Sequence, residues 1–416
     1  MTERCEDIVI VGGGIIGLSC AQHLLESGRS PLLIERAQPG QATSFGNAGV
    51  ISPWSIVPQA MPGLWKKIPH MLLSKMGPAG VSPKHAIAYL PWLWQFLRAS
   101  NVDRVWDISR AMRELCADSV NGYKSLLSHT GHEKLIRDSY YVHLSRSKQS
   151  NALSQLQATL RTTQGGEVDY VEGADLRLLE PAISDQFKSA VVIKGQARTV
   201  NPGRLGSVIA DKFVSQGGRI KHDTVCDIDA SSNGEFVLTT EQGTIKSRRV
   251  VLAAGVWSAD LLKKFGLKVP LAAERGYHLN FRDTDIQLNN SVMDVENHIV
   301  ASSMEAGLRL AGMAEFSSAD AQPQERFIRR LQRCARAMFP QINLDSADEW
   351  MGSRPSFPDS LPVIDQLKSV NGLTLAFGHS HYGLMMAPTT GRIVSSLVNK
   401  TPLPISDISP YRLGRF

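Results

Sequence analysis

The chain has 416 residues, 43% of them apolar and 20% charged, with a formal net charge of +6. That length exceeds what one compact core usually holds, so two domains are expected, and the composition is that of an ordinary globular protein. The basic residues are scattered, which argues against nucleic acid as a partner; the mild positive field suits an anionic substrate or an anionic lipid surface as readily as it serves solubility.

The five cysteines, Cys5, Cys20, Cys116, Cys226 and Cys334, lie far apart and form no C-x-x-C pair. A disulfide framework and a structural zinc are therefore not expected, and a reducing cytoplasm fits. Cys20 and Cys226 are read as small core residues. No signal peptide is expected ahead of a first strand that begins by residue 8, and no apolar run reaches the length of a spanning helix.

The pattern at residues 7–36 organises the rest. An apolar run, residues 8–11, reads as a buried parallel strand; Gly12, Gly14 and Gly17 follow in G-x-G-x-x-G spacing. Leu18, Ala21, Leu24 and Leu25 then recur at helical intervals up to Ser27 and Gly28, and a second strand, residues 31–36, carries Glu35 near its end. Each piece has a use in dinucleotide binding. The first glycine permits the tight turn, the second lets backbone approach a pyrophosphate, and the third lets the helix pack on the strand. The helix N-terminus presents free N–H groups to the phosphates, and Glu35 can accept from both ribose hydroxyls. The fingerprint alone serves FAD or NAD equally.

Residues 42–52 form a loop of small and hydroxylated residues suited to close approach by a ligand. Residues 53–100 are broken by seven prolines, with Trp54, Trp65, Trp92 and Trp94 and the pair Lys66 and Lys67 among them. Short amphipathic pieces at 64–75 and 89–97 could rest on a membrane surface, line a substrate entrance or pack inside. A helical pattern covers 105–129, a strand 140–144, a helix 147–161 and a strand 189–193. A second mononucleotide-like unit follows: a helix from Asn201 and Pro202 to Gly217, a strand at 219–227, a hairpin around residues 241–243, and a buried strand from Val250 ending in a glycine turn. Strands recur at 277–281, 298–302 and 307–311, then a helix at 325–338, a strand at 373–377 and a final helix at 389–399.

Six segments carry a resemblance over nearly the whole chain: IVIVGGGIIGLSCAQHLLESG (8–28), ATSFGNAGVIS (42–52), VVLAAGVWS (250–258), ERGYH (274–278), RPSFPDSLPVI (354–364) and GHSHYGLMMAPTTGR (378–392). In this order they resemble the D-amino acid oxidase/dehydrogenase family of FAD enzymes, nearest its bacterial D-amino acid dehydrogenase branch. The resemblance implies an α/β + β fold, a Rossmann-like FAD-binding domain (residues 1–52, 200–260 and 346–416) interleaved with an antiparallel-sheet substrate-binding domain (53–199 and 261–345). It implies non-covalent FAD and no metal; beyond Cys334 no cysteine is present for a covalent flavin link.

Carried over by position, Gly12, Gly14, Ile15, Ile16, Gly17, Glu35 and Arg36 would hold the ADP half of the cofactor. Thr43, Ser44, Asn47, Ala48, Gly49 and Val50 would run beside the pyrophosphate and isoalloxazine. Val225 would meet adenine, and Ala254, Gly255 and Trp257 would follow the supporting strand. His381, Tyr382, Gly383, Leu384 and Met385 would face the flavin pyrimidine edge, where N–H groups and a helix N-terminus favour negative charge. Arg354 would take the substrate carboxylate, a task suited to a planar, permanently charged fork. Tyr277 would wall the pocket, with His278 as a second donor. His381 stands where glycine oxidase-like members carry an arginine in a G-H-x-R-x-G loop, which favours the dehydrogenase branch.

The expected reaction is oxidation of a D-amino or cyclic imino acid, of the D-proline or D-hydroxyproline type, by hydride transfer from Cα to flavin N5. The expected acceptor is a quinone or an electron-transfer protein, in the cytoplasm, with peripheral contact at the inner face of the membrane as a further expectation. An oxidase using O2, glycine-type included, and a non-catalytic flavin electron-carrier subunit are the alternatives.

Overall fold

A computed structural model of the chain describes residues 5–64, 77, 79–148, 152–231 and 234–416. The expected amphipathic piece at 64–75 lies outside these residues apart from Leu64.

A six-stranded sheet runs Val363–Gln366, Leu373–Phe377, Val250–Leu252, Ile8–Val11, Pro31–Glu35, Arg219–His222. All neighbours are parallel except the first pair. The run at 8–11 reads as continuously apolar because both of its faces are covered. Ile8 and Ile10 pack with Leu18, Ala21 and Leu24 of the helix Ile15–Glu26 and with the helices Pro202–Ser215 and Gly383–Asn399. Val9 and Val11 face the other way, into a cluster with Ile228, Phe236 and Leu238. Those three belong to a four-stranded sheet, Cys5–Glu6, Gly243–Ser247, Phe236–Thr240, Val225–Ala230, that covers the second face. The expected single strand at 219–227 is thus two strands, one in each sheet. Cys226 is exposed, not buried.

The second lobe is built on a ten-stranded, mostly antiparallel sheet. Its main path runs from Ala347–Ser356 through Ala272–Phe281, Gly307–Phe316, Ile299–Met304, Ser291–Asp294, Ile136–Ser145 and Ser189–Thr199 to Val50–Ile51. The helix Glu325–Met338 buries Phe327, Ile328, Leu331, Cys334, Ala335 and Met338, the single apolar stripe its arginine-rich sequence allows, against Leu279, Phe281 and Leu310. Residues 347–356 and 50–51, placed by sequence in the FAD domain, stand in this sheet.

Two helical expectations change. The pattern at 105–129 is two helices, Val102–Cys116 and Ser119–Leu127. The break sets Gly122 against Pro388, where a Cβ would come within 2.4 Å of the proline ring. The final helix starts at Gly383, six residues before the position expected from Pro388, and the proline lies inside it.

Candidate active site

Four strands of the six-stranded sheet deliver loops to one crevice at their C-terminal ends, where α/β sheets bind ligands. These are the turns at Gly12, Glu35, Ala254 and Gly378. The ten-stranded sheet closes the crevice from the other side, leaving a cavity of about 2130 Å³. Drug-sized ligands need roughly 300–1,000 Å³, so a dinucleotide and a substrate fit together.

At the nucleotide end Gly12 has φ +103°, and a Cβ there would strike the Ala253 carbonyl at 2.6 Å. A Cβ on Gly17 would come within 1.8 Å of the Gly12 carbonyl oxygen. Gly14 differs: its Cβ would meet only Ser44 Oγ, at an ordinary 3.5 Å. The protein itself does not demand glycine at 14, so the space is fitted to something that approaches the backbone closely, as a pyrophosphate does. The helix beginning at Ile15 has no acid in its first turn, and Gly14 provides no side-chain cap; Ser44 Oγ accepts from Ile15 N at 3.0 Å. Glu35 accepts from Gly13 N at 2.5 Å and Ala37 N at 3.0 Å, which fixes its carboxylate at the cavity wall. Arg36 lies over the Trp257 ring, 3.7 Å from its centroid. These groups fit an ADP moiety.

At the other end the structure assembles a buried polar cluster. Arg354 and Glu274 are register partners on adjacent antiparallel strands. Arg354 Nη1 donates to Glu274 Oε1 at 3.2 Å and to the Met313 carbonyl at 2.8 Å, while Nη2 reaches the Gly312 carbonyl at 3.5 Å. The guanidinium lies over Gly276, where a Cβ would be 2.1 Å from Nη2. Its Nε–H and remaining Nη2–H, the side-on edge, have no partner among the described residues. Glu274 also accepts from Ser356 Oγ at 2.8 Å and lies 3.0 Å from His381 Nε2. Gln59 Nε2 sits against His381 Nδ1.

Burial works against charge on Glu274, but His381, Arg354 and Ser356 outweigh it and hold the carboxyl at about 2. Burial, with Arg354 nearby, drives the His381 imidazole below its ordinary value against the pull of Glu274. The arrangement at neutral pH is a neutral imidazole that donates from Nε2 to an ionised Glu274 and accepts from Gln59 at Nδ1. Arg354 therefore carries the cationic partner of Glu274.

All the site residues expected from the sequence border this cavity except Gly17, Gly49 and His278. Strand alternation places His278 on the face of Glu274 and Gly276, opposite to Tyr277, but its ring does not border the cavity. It stacks on Trp350 at 4.9 Å and 15°, with Nδ1 3.2 Å from the Gly46 carbonyl oxygen. The residue expected as a second substrate donor thus stands outside the cavity lining. Tyr277 borders the cavity, but its hydroxyl donates to Glu315 and accepts from Gln324 N at 3.1 Å. Thr43 Oγ1 donates to the Ser353 carbonyl at 2.9 Å, and Asn47 Oδ1 accepts from Gly49 N at 2.8 Å, so both side chains shape the loop. Sequence reasoning did not single out Glu274, Gln59, Tyr141 or Arg161, all of which line the cavity.

A crevice built for a dinucleotide, continuous with a buried guanidinium cluster, defines a nucleotide-dependent oxidoreductase. The family described as DAO, FAD dependent oxidoreductase, matches residues 7–397, and the chain belongs to it. Its cofactor is FAD. A relative named D-amino-acid oxidase, from Bradyrhizobium diazoefficiens, is 31% identical over 97% of this chain and 98% of its own. One named D-amino acid dehydrogenase, from Rhizobium rhizogenes, is 28% identical over 98% and 100%. The crystal structure of an L-proline dehydrogenase from P. horikoshii shares the fold, with a TM-score of 0.76 at 19% identity, covering 100% of this chain and 98% of that one.

Proposed function

We propose that the chain oxidises a D-amino or cyclic imino acid and passes the electrons to an acceptor other than O2. The observation that carries the reading is the free side-on edge of Arg354 in the cavity that also holds the nucleotide crevice. That edge grips a substrate carboxylate bidentately. The Glu274 carboxylate and the Met313 carbonyl hold the opposite side of the guanidinium, so the fork is oriented before substrate arrives. Fixing the carboxylate aims the Cα–H, an effect worth several kcal/mol at best.

Bound FAD would supply the acceptor for the Cα hydride at its N5 atom. Glu274, held at about 2, is too weak a base to take the amine proton. The substrate therefore reacts as the neutral amine, its ammonium proton already lost to solvent. Two electrons leave with the hydrogen, and water converts the open-chain imine to a 2-oxo acid and ammonia; a cyclic imine remains closed.

The relatives' names support the substrate class and divide on the acceptor. Exposed Ile87, Leu90 and Trp94 offer a face to a membrane quinone pool or an electron-transfer protein, in keeping with a cytoplasmic protein at the inner membrane face. The relative named an oxidase favours O2 as the second reading; rapid reoxidation of the substrate-reduced protein in air would decide for it. Arg354→Met should raise KM by about 10- to 100-fold with FAD content retained. An unchanged KM would remove Arg354 from carboxylate binding.

A further inference from the structure

The cavity is also lined by a buried guanidinium whose charge no carboxylate among the described residues balances. Arg161 is 5% exposed and borders the cavity. Its Nε donates to the Trp54 carbonyl at 3.2 Å and its Nη1 to the Gln157 carbonyl at 3.1 Å. No carboxylate among the described residues pairs with it. Arg354, by contrast, has Glu274. Burying an unpaired charge is costly unless something pairs with it.

A purely structural role explains little of this. Trp54 is already held by Arg113, which donates to the Pro53 carbonyl at 3.3 Å and lies 4.0 Å from the Trp54 ring centroid. Gly166 packs against the same ring, leaving only 3.1 Å for a Cβ. The groups around Arg161 supply no charge: burial, with Arg161 adding to it, drives the His143 imidazole to about 3, so it is neutral. Tyr141 and Tyr382 keep their protons, burial raising both.

Arg161 and the Arg354–Glu274 pair flank one wall. The Tyr382 hydroxyl feels both the Glu274 carboxylate and the Arg161 guanidinium, and it donates to the Val57 carbonyl at 2.8 Å. The segment 54–59 links the two sites: its first carbonyl accepts from Arg161, and the Gln59 amide meets His381.

We propose that Arg161 holds a second anionic group of the substrate, so that the preferred substrates are amino acids with a carboxylate in the side chain. Resting on the function proposed above, this narrows its substrate class. Arg354 takes the α-carboxylate and Arg161 the distal one, each guanidinium then holding one carboxylate of the substrate.

The test is calorimetric titration of the FAD-loaded protein with glutarate, and separately with pentanoate, which has the same chain length and one carboxylate. Glutarate should bind about 10-fold or more tighter, the worth of one charged hydrogen-bonded contact. Arg161→Met should bring the two affinities to within about 3-fold, with Arg161→Lys between, since Lys keeps the charge and loses the fork. Equal binding of the two acids by the native protein overturns the proposal, and that comparison stands even if the variants do not fold. Equal weakening of both acids by Arg161→Met also overturns it, because Arg161 would then hold the only carboxylate bound. If glutarate is preferred through Arg161 but no amino acid reduces the flavin, the anion site stands and the proposed function fails. If D-amino acids reduce the flavin but glutarate has no advantage, the function stands and the second site fails.

Discussion

The Tyr123 hydroxyl donates to the Leu384 carbonyl at 2.7 Å, and Leu384 is the residue whose carbonyl Pro388 leaves without its helical N–H. Proline inside a helix removes the bond to the residue four before it. The buried tyrosine supplies the missing donor from a separate helix, and the first turn of Gly383–Asn399 stays intact where it meets the cavity. Tyr123→Phe should cost about 1–3 kcal/mol, the penalty for a buried carbonyl left without a partner. Thermal unfolding measures this, and an unchanged midpoint would mean that water or a shifted chain replaces the hydroxyl.

Gly14 and Gly17 should behave in opposite ways. Gly17→Val drives a side chain into the Gly12 carbonyl and should prevent folding, since the gap is 1.8 Å. At Gly14 the added Cβ meets only Ser44 Oγ in the protein, so Gly14→Val is placed where the protein leaves room. The flavin-free protein should keep its stability to within about 1 kcal/mol, the scale of N-cap substitutions, while FAD binding is lost. Differential scanning of apoprotein and flavin titration check the two halves, and FAD retention by Gly14→Val would displace the pyrophosphate from this turn.

Glu35 spends its carboxylate on two backbone N–H groups in this structure and faces the cavity. Glu35→Ala should weaken FAD by about 10- to 100-fold, as expected for charge-assisted hydrogen bonds to ribose. Flavin fluorescence during titration of the apoprotein gives the affinity directly.

These sites differ in how far the sequence discloses them. The nucleotide turn is local: strand, glycines, helix and acid lie within thirty residues, and buried parallel strands announce themselves as unbroken apolar runs. Glu274 is hidden because its partner is 80 residues away, and only the register of two strands joins them. The start of the last helix is hidden for a similar reason. Pro388 reads as a break, and its remedy comes from Tyr123, 261 residues before the Leu384 carbonyl that it satisfies. His278 shares a strand face with Glu274 and Gly276, but Trp350 and the Gly46 carbonyl take up its ring, and neither contact can be read from the sequence. The division of residues 219–227 between two sheets falls at Asp223 and Thr224, a break with no glycine or proline to mark it.

Acid should weaken the fold steeply. Burial drives His143, His278 and His379 to about 3, with Arg161 and Arg309 adding to the first two. Each is neutral when folded and takes a proton at its ordinary value near 6.5 when unfolded. The stability from their neutral burial is complete above about 6.5 and is lost as pH falls towards 3, at up to about 1.4 kcal/mol per pH unit for each. Glu274 acts lower, its contribution lost between its ordinary 4.5 and about 2. Urea midpoints should fall from pH 6.5 downward, with a shallower fall for His278→Gln. A flat profile over that range would contradict neutral burial.

Anaerobic mixing of the yellow FAD-loaded protein with D- and L-enantiomers of the same amino acids tests the central claim most directly, dicarboxylic and cyclic members included. The account predicts bleaching of the flavin absorbance by D-enantiomers, fastest for those with a second carboxylate, with slow recovery in air. Bleaching by none of them, or by L-enantiomers alone, would contradict it.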